Sequence, residues 1–423
     1  MGIDQISISP VRRHLAAPAV AAVSQALGLA QYGFLWLSSG FGYYSDTLFL
    51  MQAWVLVSGQ IILQGVAFPI WLRARGSGAG GRQFTWLAAS ASVLLVGGIG
   101  WWRLAYVPSE YDFGAVVWII FFSLLTAPLA TVGFAMALRA ASAGRPMLLA
   151  SLTLPTSVLA CALMPWFLSS ESAKSIILSL CMFLGNVCFV AIAVLTERVS
   201  LFGGRNTVSL RQHLTSESAW FAARSGAGYS TGVILQTVAS ALPASALSML
   251  SFSAKFVAGV VAVGVNAVLP RLVHRDRADT SGAFIIIRYV VGLCLLAEAV
   301  TAAVSLAWRP DGGAYLPLMP LVIAWAAAAS INACVQRVAL KSLAASSSKL
   351  TIMACACVSG LAFILSASGE LNVFLLALLF IVLEISSALL LLLSMRQWKD
   401  VWVVGIGALI CGFLVGFVTV MWH

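Results

Sequence analysis

Apolar stretches of about twenty residues follow one another along almost the whole chain, and only short polar segments separate them. About twenty residues of α-helix cross the hydrocarbon layer of a bilayer, because each residue advances the helix by about 1.5 Å. The stretches lie at residues 15–38, 47–72, 86–107, 113–138, 147–168 and 174–195, and then at 220–242, 246–270, 283–308, 315–340, 350–367, 371–395 and 401–422.

The amino-acid composition agrees with a membrane protein. Hydrophobic residues make up 61% of the chain and charged residues 9%, and the mean hydropathy is +1.00. A water-soluble domain needs far more charge to cover its surface. We therefore predict an all-α integral membrane protein with about 12–14 transmembrane helices.

The positions of Arg and Lys predict how these helices are oriented. Basic residues are retained on the cytoplasmic side of short loops. With a cytoplasmic N-terminus, 19 basic residues fall on that side and only three, Arg103, Lys174 and Arg309, on the other. The bias predicts a cytoplasmic N-terminus and places His423 outside. It also accounts for the net charge of +10 without a nucleic-acid partner.

Two pairs of segments recur at the same spacing. Pro69 followed by Arg73 and Arg75 matches Pro270 followed by Arg271, His274 and Arg275 at an offset of roughly 201 residues. The segment "AMALRAASAGRP" matches "RVALKSLAASSSK" at the same offset. Six predicted helices separate the members of each pair, so both members have the same orientation. Chance similarity between apolar helices is the alternative. We therefore predict two six-helix lobes that face each other across a cleft. The predicted parts are an N-lobe at 1–197, a cytoplasmic linker at 198–219, a C-lobe at 220–397 and an extra C-terminal transmembrane helix at 398–423.

Signatures of enzymes and metal sites are missing from the sequence. All eight cysteines lie in predicted spans, where we expect them to act as small packing residues. Cys355 and Cys357 are two residues apart and point to different faces of a helix, which disfavours joint ligation. The chain has no phosphate-binding glycine loop, zinc-ligand spacing or nucleophile elbow. We predict no catalytic residue, no metal, no cofactor and no enzyme activity.

Four segments carry a family resemblance. They are "SALPASALSMLSFSAKFVAGVVAVGVNAVLPRL" from Ser240, "SDTLFLMQAW" from Ser45, "SQALGLAQY" from Ser24 and "ALRAASAGRP" from Ala137. They resemble, in that order, the seventh-to-eighth helix junction, the second helix, the first helix and the fourth-to-fifth turn of the MurJ/Wzx-type flippases of lipid-linked glycans. These flippases belong to the multidrug/oligosaccharidyl-lipid/polysaccharide exporter superfamily. The resemblance implies the two-lobed fold of that superfamily.

The chain departs from MurJ proteins at charged positions. MurJ proteins carry arginines in the first helix where this chain has Gln25 and Gln31, and an Asp-Arg pair in the eighth where it has Ser251 and Phe252. An acidic residue of the seventh helix is replaced near Gln236. The family uses those cations on the pyrophosphate of lipid II. The resemblance therefore implies an alternating-access flippase for another polyprenyl-pyrophosphate-linked saccharide, as in exopolysaccharide, capsule or O-antigen assembly.

Three alternative functions stay open. The first is lipid II flipping for peptidoglycan synthesis, and the second is cation-coupled drug antiport of the MATE type. The third is a membrane scaffold that transports nothing. The flippase interpretation names a polyprenyl-linked glycan and membrane lipids as ligands, and a polysaccharide polymerase or glycosyltransferases as partner proteins. It places the chain in the bacterial cytoplasmic (inner) membrane.

Basic and amide side chains are the candidates for substrate binding. An anionic head group crosses hydrocarbon only if a carrier supplies a hydrated, cationic cavity. Lys255 and Arg224 lie in the first two spans of the C-lobe and are the basic candidates. As alternatives to substrate binding, Lys255 could pair with Glu298 or Glu384, and Arg224 could extend its side chain to the membrane surface. The neutral candidates, suited either to sugar hydroxyls or to contacts between helices, are Gln25, Gln31, Gln52, Gln60 and Gln64.

Three acidic residues are the candidates for ion coupling. Glu298 and Glu384 lie deep in apolar spans, where an unpaired carboxylate becomes protonated or binds a cation. Asp46, at the start of the second span, is the only acidic candidate of the N-lobe. We expect these residues to couple transport to H+ or Na+, with an ion pair to Lys255 as the alternative for the two glutamates.

Overall fold

The computed structural model describes residues 10–37, 40–73, 80–143, 145, 147–167, 170–197, 216–262, 281–307, 318–342 and 345–422. All regular structure in these residues is helical, which confirms the predicted all-α class. Most of the predicted linker, Pro270 of the repeat, Arg309 and His423 lie outside the described residues.

The N-lobe contains eight numbered helices. The second helix continues through a π-helical segment, Gly59–Ala67, directly into the third. A short 3₁₀ turn, Met164–Phe167, follows the seventh. Their bounds are α1 Pro10–Trp36, α2 Tyr43–Ser58, α3 Phe68–Arg73, α4 Gly81–Ala105, α5 Phe113–Ser142, α6 Met147–Ala150, α7 Leu154–Leu163 and α8 Glu171–Glu197.

The C-lobe and the C-terminal helix supply the remaining seven. These are α9 Ser216–Ala239, α10 Ala246–Val260, α11 Ser281–Ala307, α12 Leu318–Ser342, α13 Ala345–Ala367, α14 Val373–Ser394 and α15 Trp398–Trp422. Below, the basic end is the end of the bundle at which α1 begins and α2 runs out into α3. The opposite end, at which α2 and α10 begin, is the distal end.

The two lobes have the same internal packing. In the N-lobe, α5 packs against α2, α4 and α8, and α7 packs between α1 and α8. In the C-lobe, α12 packs against α10, α11 and α14, and α13 packs between α9 and α14. Helix α15 lies on the outside of the C-lobe against α11, α12 and α14. One arrangement of helices therefore occurs twice, as the sequence repeat predicts.

The least apolar helices lie where the lobes meet. Among the described residues, ten helices are long and apolar enough to cross a membrane. Helices α1, α9 and α10 are more polar or shorter, and they complete the thirteen predicted spans. Helix α1 contacts α10, and α2 contacts both α9 and α10. Helices with polar side chains are stable in a membrane when they face protein or water, which accounts for this central position.

Two predicted helices are less regular than the sequence suggests. The stretch at 147–168 breaks at a turn over residues 151–153, because Pro155 fits the first turn of a helix and not its interior. The stretch at 47–72 contains the π-helical segment, which hydropathy cannot reveal because its residues are as apolar as those of a regular helix. Pro128, in contrast, lies inside a continuous α5.

Candidate functional site

A polar face of α1 lies against α7 and α10 at the lobe interface. Ser24 is buried, and its hydroxyl lies 2.7 Å from the hydroxyl of Thr153 before α7. Gly28 follows one turn later and Gln31 almost one further turn on, on the same face. Gln31 is 6% exposed, and its Oε1 has no hydrogen-bond partner among the described residues. Ordered polar groups therefore line this side of α1.

Lys255 crosses from the C-lobe to this face. A Cβ atom built on Gly28 would lie 2.7 Å from Lys255 Cε and 3.1 Å from its Nζ, so the lysine occupies the space that a side chain on α1 would fill. The same point is 3.8 Å from the hydroxyl of Ser157 on α7. Gly28 is thus required for the ammonium group to approach α1.

The ammonium of Lys255 has no acidic partner within the described part of the chain. An ion pair elsewhere in the C-lobe joins Arg288 to Asp400 and does not involve Lys255. Glu384 accepts a hydrogen bond from the amide of Asn332, and both oxygens of Glu298 lack a hydrogen-bond partner. Neither glutamate therefore forms the ion pair that would give Lys255 a purely structural role.

Three of the predicted glutamines have a free carbonyl oxygen. Oε1 of Gln25, like that of Gln31 and Gln60, is buried and has no hydrogen-bond partner among the described residues. Gln25 packs on α10, since its Cβ lies 3.8 Å from the position of a Cβ on Gly259. Buried amide oxygens without a partner are costly, so a ligand or water that donates hydrogen bonds would stabilise them.

Two other candidates on α2 differ in their surroundings. Gln52 is occupied within the N-lobe: its Oε1 accepts from the hydroxyl of Tyr32 at 3.1 Å, and its amide lies 2.9 Å from Met182 Sδ. Gln64, in the π-helical segment, is partly buried. Gln52 has few groups left for a substrate, whereas Gln25, Gln31 and Gln60 have an oxygen to offer.

Arg224 lies on α9, 9% exposed. Further along the same helix, the Thr231 hydroxyl is 3.4 Å from the carbonyl oxygen of Cys355 on α13, and it accepts a hydrogen bond from Ser359 at 3.2 Å. These contacts fix α9 against α13 inside the C-lobe. Helix α9 also packs against the π-helical segment of the N-lobe, where a Cβ on Gly226 would lie 3.5 Å from Ile61. Arg224, like Lys255, therefore lies on a helix at the lobe interface.

Asp46 fastens the lobes together at the distal end. Its carboxylate accepts hydrogen bonds from the backbone N–H of Ser245 at 2.9 Å and of Ser248 at 2.7 Å, and also from the Ser248 hydroxyl. These N–H groups belong to the N-terminus of α10, which attracts negative charge. Asp46 is 3% exposed. We call this contact between Asp46, Ser245 and Ser248 the latch.

Neighbouring side chains hold the latch in place. Glu171 on α8 accepts from the backbone N–H of Ser45 at 2.8 Å and from its hydroxyl at 3.0 Å, and the Ser248 hydroxyl lies 3.0 Å from the Ser45 hydroxyl. Ser245 has a φ of 87°, a conformation that costs free energy in a residue other than glycine. The latch is therefore a closely fitted contact with a strained residue at its centre.

Arg103 supports the same end of α2. Its Nε donates to the hydroxyl of Thr47 at 3.0 Å, and its guanidinium lies 4.0 Å from the ring centre of Tyr43. Tyr43 in turn stacks on Tyr111 at 4.3 Å between ring centres. The start of α2 is thus fixed to α4 and to the loop before α5.

A large cavity lies elsewhere, in the C-lobe. It has a volume of about 850 Å³ and lies between α11, α12, α14 and α15, with mostly apolar walls that include Val291, Ile331 and Leu378. None of the predicted substrate-binding residues lines it. Of the described cysteines, Cys294 and Cys411 reach its wall.

No metal site is formed by the described residues. They contain no group of three or more His, Cys, Asp or Glu side chains placed to hold an ion. The eight cysteines form no disulfide and are scattered through the spans. The described groups at the lobe interface include the ammonium of Lys255, the carboxylate of Asp46, and amides and hydroxyls.

Solved transporters have this arrangement of helices. The eukaryotic MATE transporter AtDTX14 superimposes with a TM-score of 0.51 over 93% of this chain and 96% of its own, at 14% sequence identity. A mutant of the Vibrio cholerae MATE transporter VcmN gives a TM-score of 0.52 over 92% and 95%, at 13% identity. The chain has the fold of a MATE transporter. No protein-family model matches it, and no curated protein matches its sequence significantly.

The MATE fold confirms the two-lobed membrane architecture that the resemblance implies. At this level of identity the likeness is one of fold alone. Any inference about what the protein does must therefore come from its own residues, above all those at the lobe interface.

Sequence reasoning missed four residues of this region. Gly28, Ser45, Glu171 and Ser248 are single small or polar residues whose roles depend on helices distant in the chain. Ser248 is recognisable only as the residue after the Ser-Ala-Leu triplet, and Ser45 as the residue before Asp46. The contacts of the four residues follow from the packing of α10 on α1 and α2 and of α8 on α2, which no local sequence pattern encodes.

Proposed function

We propose that this protein is an alternating-access transporter of an amphiphile with an anionic head group, namely a polyprenyl-pyrophosphate-linked saccharide used in cell-surface polysaccharide synthesis. The observation that carries the proposal is the ammonium of Lys255 at the lobe interface, unpaired within the described residues and next to amides with free oxygens. An unpaired cation between the lobes favours an anionic ligand.

The two kinds of side chain suit the two parts of such a head group. A diphosphate needs a cation and hydrogen-bond donors, because unpaired charge costs several kcal/mol or more in a dry interior. Sugar hydroxyls need acceptors such as the carbonyl oxygens of Gln25, Gln31 and Gln60. The polyprenyl tail needs no polar contact and stays in the lipid. Lys255 lies close to both lobes, so one bound head group would touch both.

A MATE-like cation-coupled drug antiporter is the second candidate, and the fold favours it as much as the first. A site for cationic drugs requires an acidic side chain that is free to meet them. Asp46 is already bonded to α10, and Glu384 is bonded to Asn332. Glu298 lies on α11, outside the contacts between the lobes. The described residues thus favour an anionic ligand.

Lipid II flipping is the third candidate, and it shares the anionic head group. The neutral Gln25 and Gln31, in place of the arginines of MurJ proteins, argue for a head group that needs fewer cations. We propose that Glu384, Glu298 and Asp46 couple transport to H+ or Na+. Asp46 also forms the latch. The proposed location is the bacterial inner membrane with a cytoplasmic N-terminus, next to the polymerase or glycosyltransferases that use the glycan.

The test is an accumulation assay in the native host. The gene is deleted, polyprenyl-linked intermediates are extracted from the membrane, and the saccharide on the cytoplasmic leaflet is identified. The deletion strain then receives the wild type, Lys255→Ala, Lys255→Arg or Lys399→Ala. Lys399 is an exposed lysine at the basic end of α15 and serves as the matched control.

We expect a surface-polysaccharide intermediate to accumulate in the deletion strain. The Lys255→Ala protein should clear this intermediate at least about tenfold more slowly than the wild type, because one charge-assisted hydrogen bond to phosphate contributes about 1.5–3 kcal/mol. Lys255→Arg should retain most of the activity, and Lys399→Ala all of it. Normal surface glycans without accumulation would reject the flippase. If the deletion strain is sensitive to drugs but has normal surface glycans, the antiporter is favoured. If it accumulates lipid II, the lipid II flippase is favoured.

A further inference from the structure

Helix α2 changes its hydrogen bonding midway. The N–H of Gly59 bonds to the carbonyl of Leu56, three residues back. The nine residues Gly59–Ala67 form a π-helix, after which the N–H of Phe68 bonds to the carbonyl of Leu63, five residues back. A π-helix of this length is rare, since such segments mostly occur as single turns at functional positions. Its wider turns hold the backbone less tightly than α-helical turns do.

Helix α10 makes the same change at the corresponding place. The N–H of Val261 is shared between the carbonyls of Ala258, three residues back, and Val257, and the π-helical conformation begins at this residue. Gly259 lies two residues before this change in α10, and Gly59 is the first residue of the π-helical segment that follows α2. Glycine lowers the cost of bending a helix.

The two changes are related by the repeat of the fold. Asp46 and Ser248, which meet in the latch, are 202 residues apart in the chain. Gly59 and Val261 are also 202 residues apart, so each change lies at the same distance from its own latch residue. Because both helices lie where the lobes meet, a bend in either one changes the distance between the lobes.

We propose that the helical irregularities at Gly59 and Val261 are paired hinges about which α2 and α10 bend while the lobes separate and close. The hinge at Gly59 divides its helix into a distal half, held by the latch, and a part toward the basic end that continues into α3. The hinge at Val261 lies at the end of α10, whose N-terminus the latch holds. The inference rests on the proposed alternating access but not on the identity of the substrate. The hinges act together, because the latch joins the distal halves of the two helices into one unit.

The test stiffens both hinges without adding a clash. In Gly59→Ala the new Cβ would lie 3.4 Å from Phe134, and in Gly259→Ala it would lie 3.8 Å from the Cβ of Gln25, both ordinary contacts. Alanine favours a regular α-helix over a bent one. The matched control is Gly98→Ala with Gly360→Ala, where the new Cβ meets nothing within 4 Å in regular parts of α4 and α13.

The readout is a distance between the lobes at the basic end. Spin labels are attached to an unnatural keto amino acid at Arg82 on α4 and at Lys399 on α15, two exposed positions, which leaves the eight cysteines in place. Helix α15 moves with the C-lobe, because Arg288 bonds to Asp400 at 2.8 Å. Pulsed electron paramagnetic resonance is recorded in lipid nanodiscs without substrate, for the wild type and for Asp46→Asn, in which the latch is weakened.

We expect the Asp46→Asn protein to show two label-to-label distances, one for each conformation. Adding Gly59→Ala and Gly259→Ala should change the ratio of the two populations by about tenfold, whereas adding Gly98→Ala and Gly360→Ala should leave the ratio unchanged. The inference is overturned if the hinge pair behaves as the control pair does, or if Asp46→Asn shows a single distance. Two distances in a protein that clears no glycan intermediate would retain the hinges and reject the proposed substrate.

Discussion

A carboxylate and an ammonium group at the lobe interface have opposite surroundings. Asp46 has its negative charge matched by the N–H groups of α10, whereas Lys255 has no acidic partner among the described residues. A matched charge contributes to the closure of one end of the molecule. An unmatched one destabilises the resting protein until a ligand arrives, which is why the two charges have different proposed roles.

Asp46→Asn is expected to weaken the latch, because the amide keeps one acceptor oxygen but loses the charge that faces the α10 N-terminus. A loss of about 1–2 kcal/mol corresponds to roughly five- to thirtyfold more frequent opening. The measurement uses Ser45→Cys, a fully buried position beside the latch, and the rate at which a maleimide modifies its thiol. That rate should rise by the same factor when Asp46→Asn is added.

Asp112→Asn supplies the control for this experiment. Asp112 also accepts from a helix N-terminus, that of its own α5 through Gly114 N–H at 2.9 Å, but it joins no lobes. The thiol at position 45 should react at the unaltered rate in that background. Equal rates in the Asp46→Asn and Asp112→Asn backgrounds would show that Asp46 does not hold the lobes together.

Helices of one lobe approach so closely that single glycines decide their spacing. A Cβ on Gly185 of α8 would lie 2.5 Å from the Cα of Thr156 on α7, which is backbone and cannot move aside cheaply. In a membrane, small residues allow such close approach, and packing in place of the hydrophobic effect stabilises the pair. The α7–α8 contact is therefore a rigid element of the N-lobe.

Gly185→Ala is expected to destabilise the N-lobe by about 1–3 kcal/mol, because the helices must separate to admit the methyl group. The measurement is the thermal unfolding midpoint in detergent. Gly360→Ala on α13, where nothing lies within 4 Å of the added atom, should leave the midpoint unchanged or raise it. A Gly185→Ala protein as stable as the Gly360→Ala protein would mean that α7 and α8 are not packed as described.

For the molecule as a whole, the latch ties the two lobes together at the distal end. Hydrogen bonds between α2 and α10 form this tie, and α8 supports it through Glu171. Alternating access requires this end to open in a second conformation. A covalent link across the latch should therefore stop transport without disturbing the resting structure.

The pair Ser45→Cys and Ser248→Cys provides that link. The two hydroxyl oxygens lie 3.0 Å apart, so thiols at the two positions would face each other. Oxidation of the double variant should raise the glycan intermediate to the level of the deletion strain, and a reductant should restore clearance. Peptide mass spectrometry confirms the disulfide, and each single variant, treated with oxidant, is the control. Full clearance by the cross-linked protein would contradict opening at the distal end.

Much of the fold could be predicted from the sequence because lipid imposes a simple rule. Each span must satisfy its backbone hydrogen bonds within a helix and present about twenty apolar residues to the lipid. Spans such as α5 and α14 can therefore be predicted from hydropathy alone. The repeat offset predicts the two lobes for the same reason, because equivalent spans have equivalent neighbours.

The order of residues was enough to predict a membrane protein with about thirteen spans, and to single out Lys255, Asp46 and the glutamines as candidates. Their partners became known only from the packed helices: Asp46 on the N-terminus of α10, Lys255 against Gly28, and Gln52 against Tyr32. The difference lies in how far each property extends along the chain. Hydropathy is a property of neighbouring residues, whereas a hydrogen bond between positions 202 residues apart exists only after two lobes have packed.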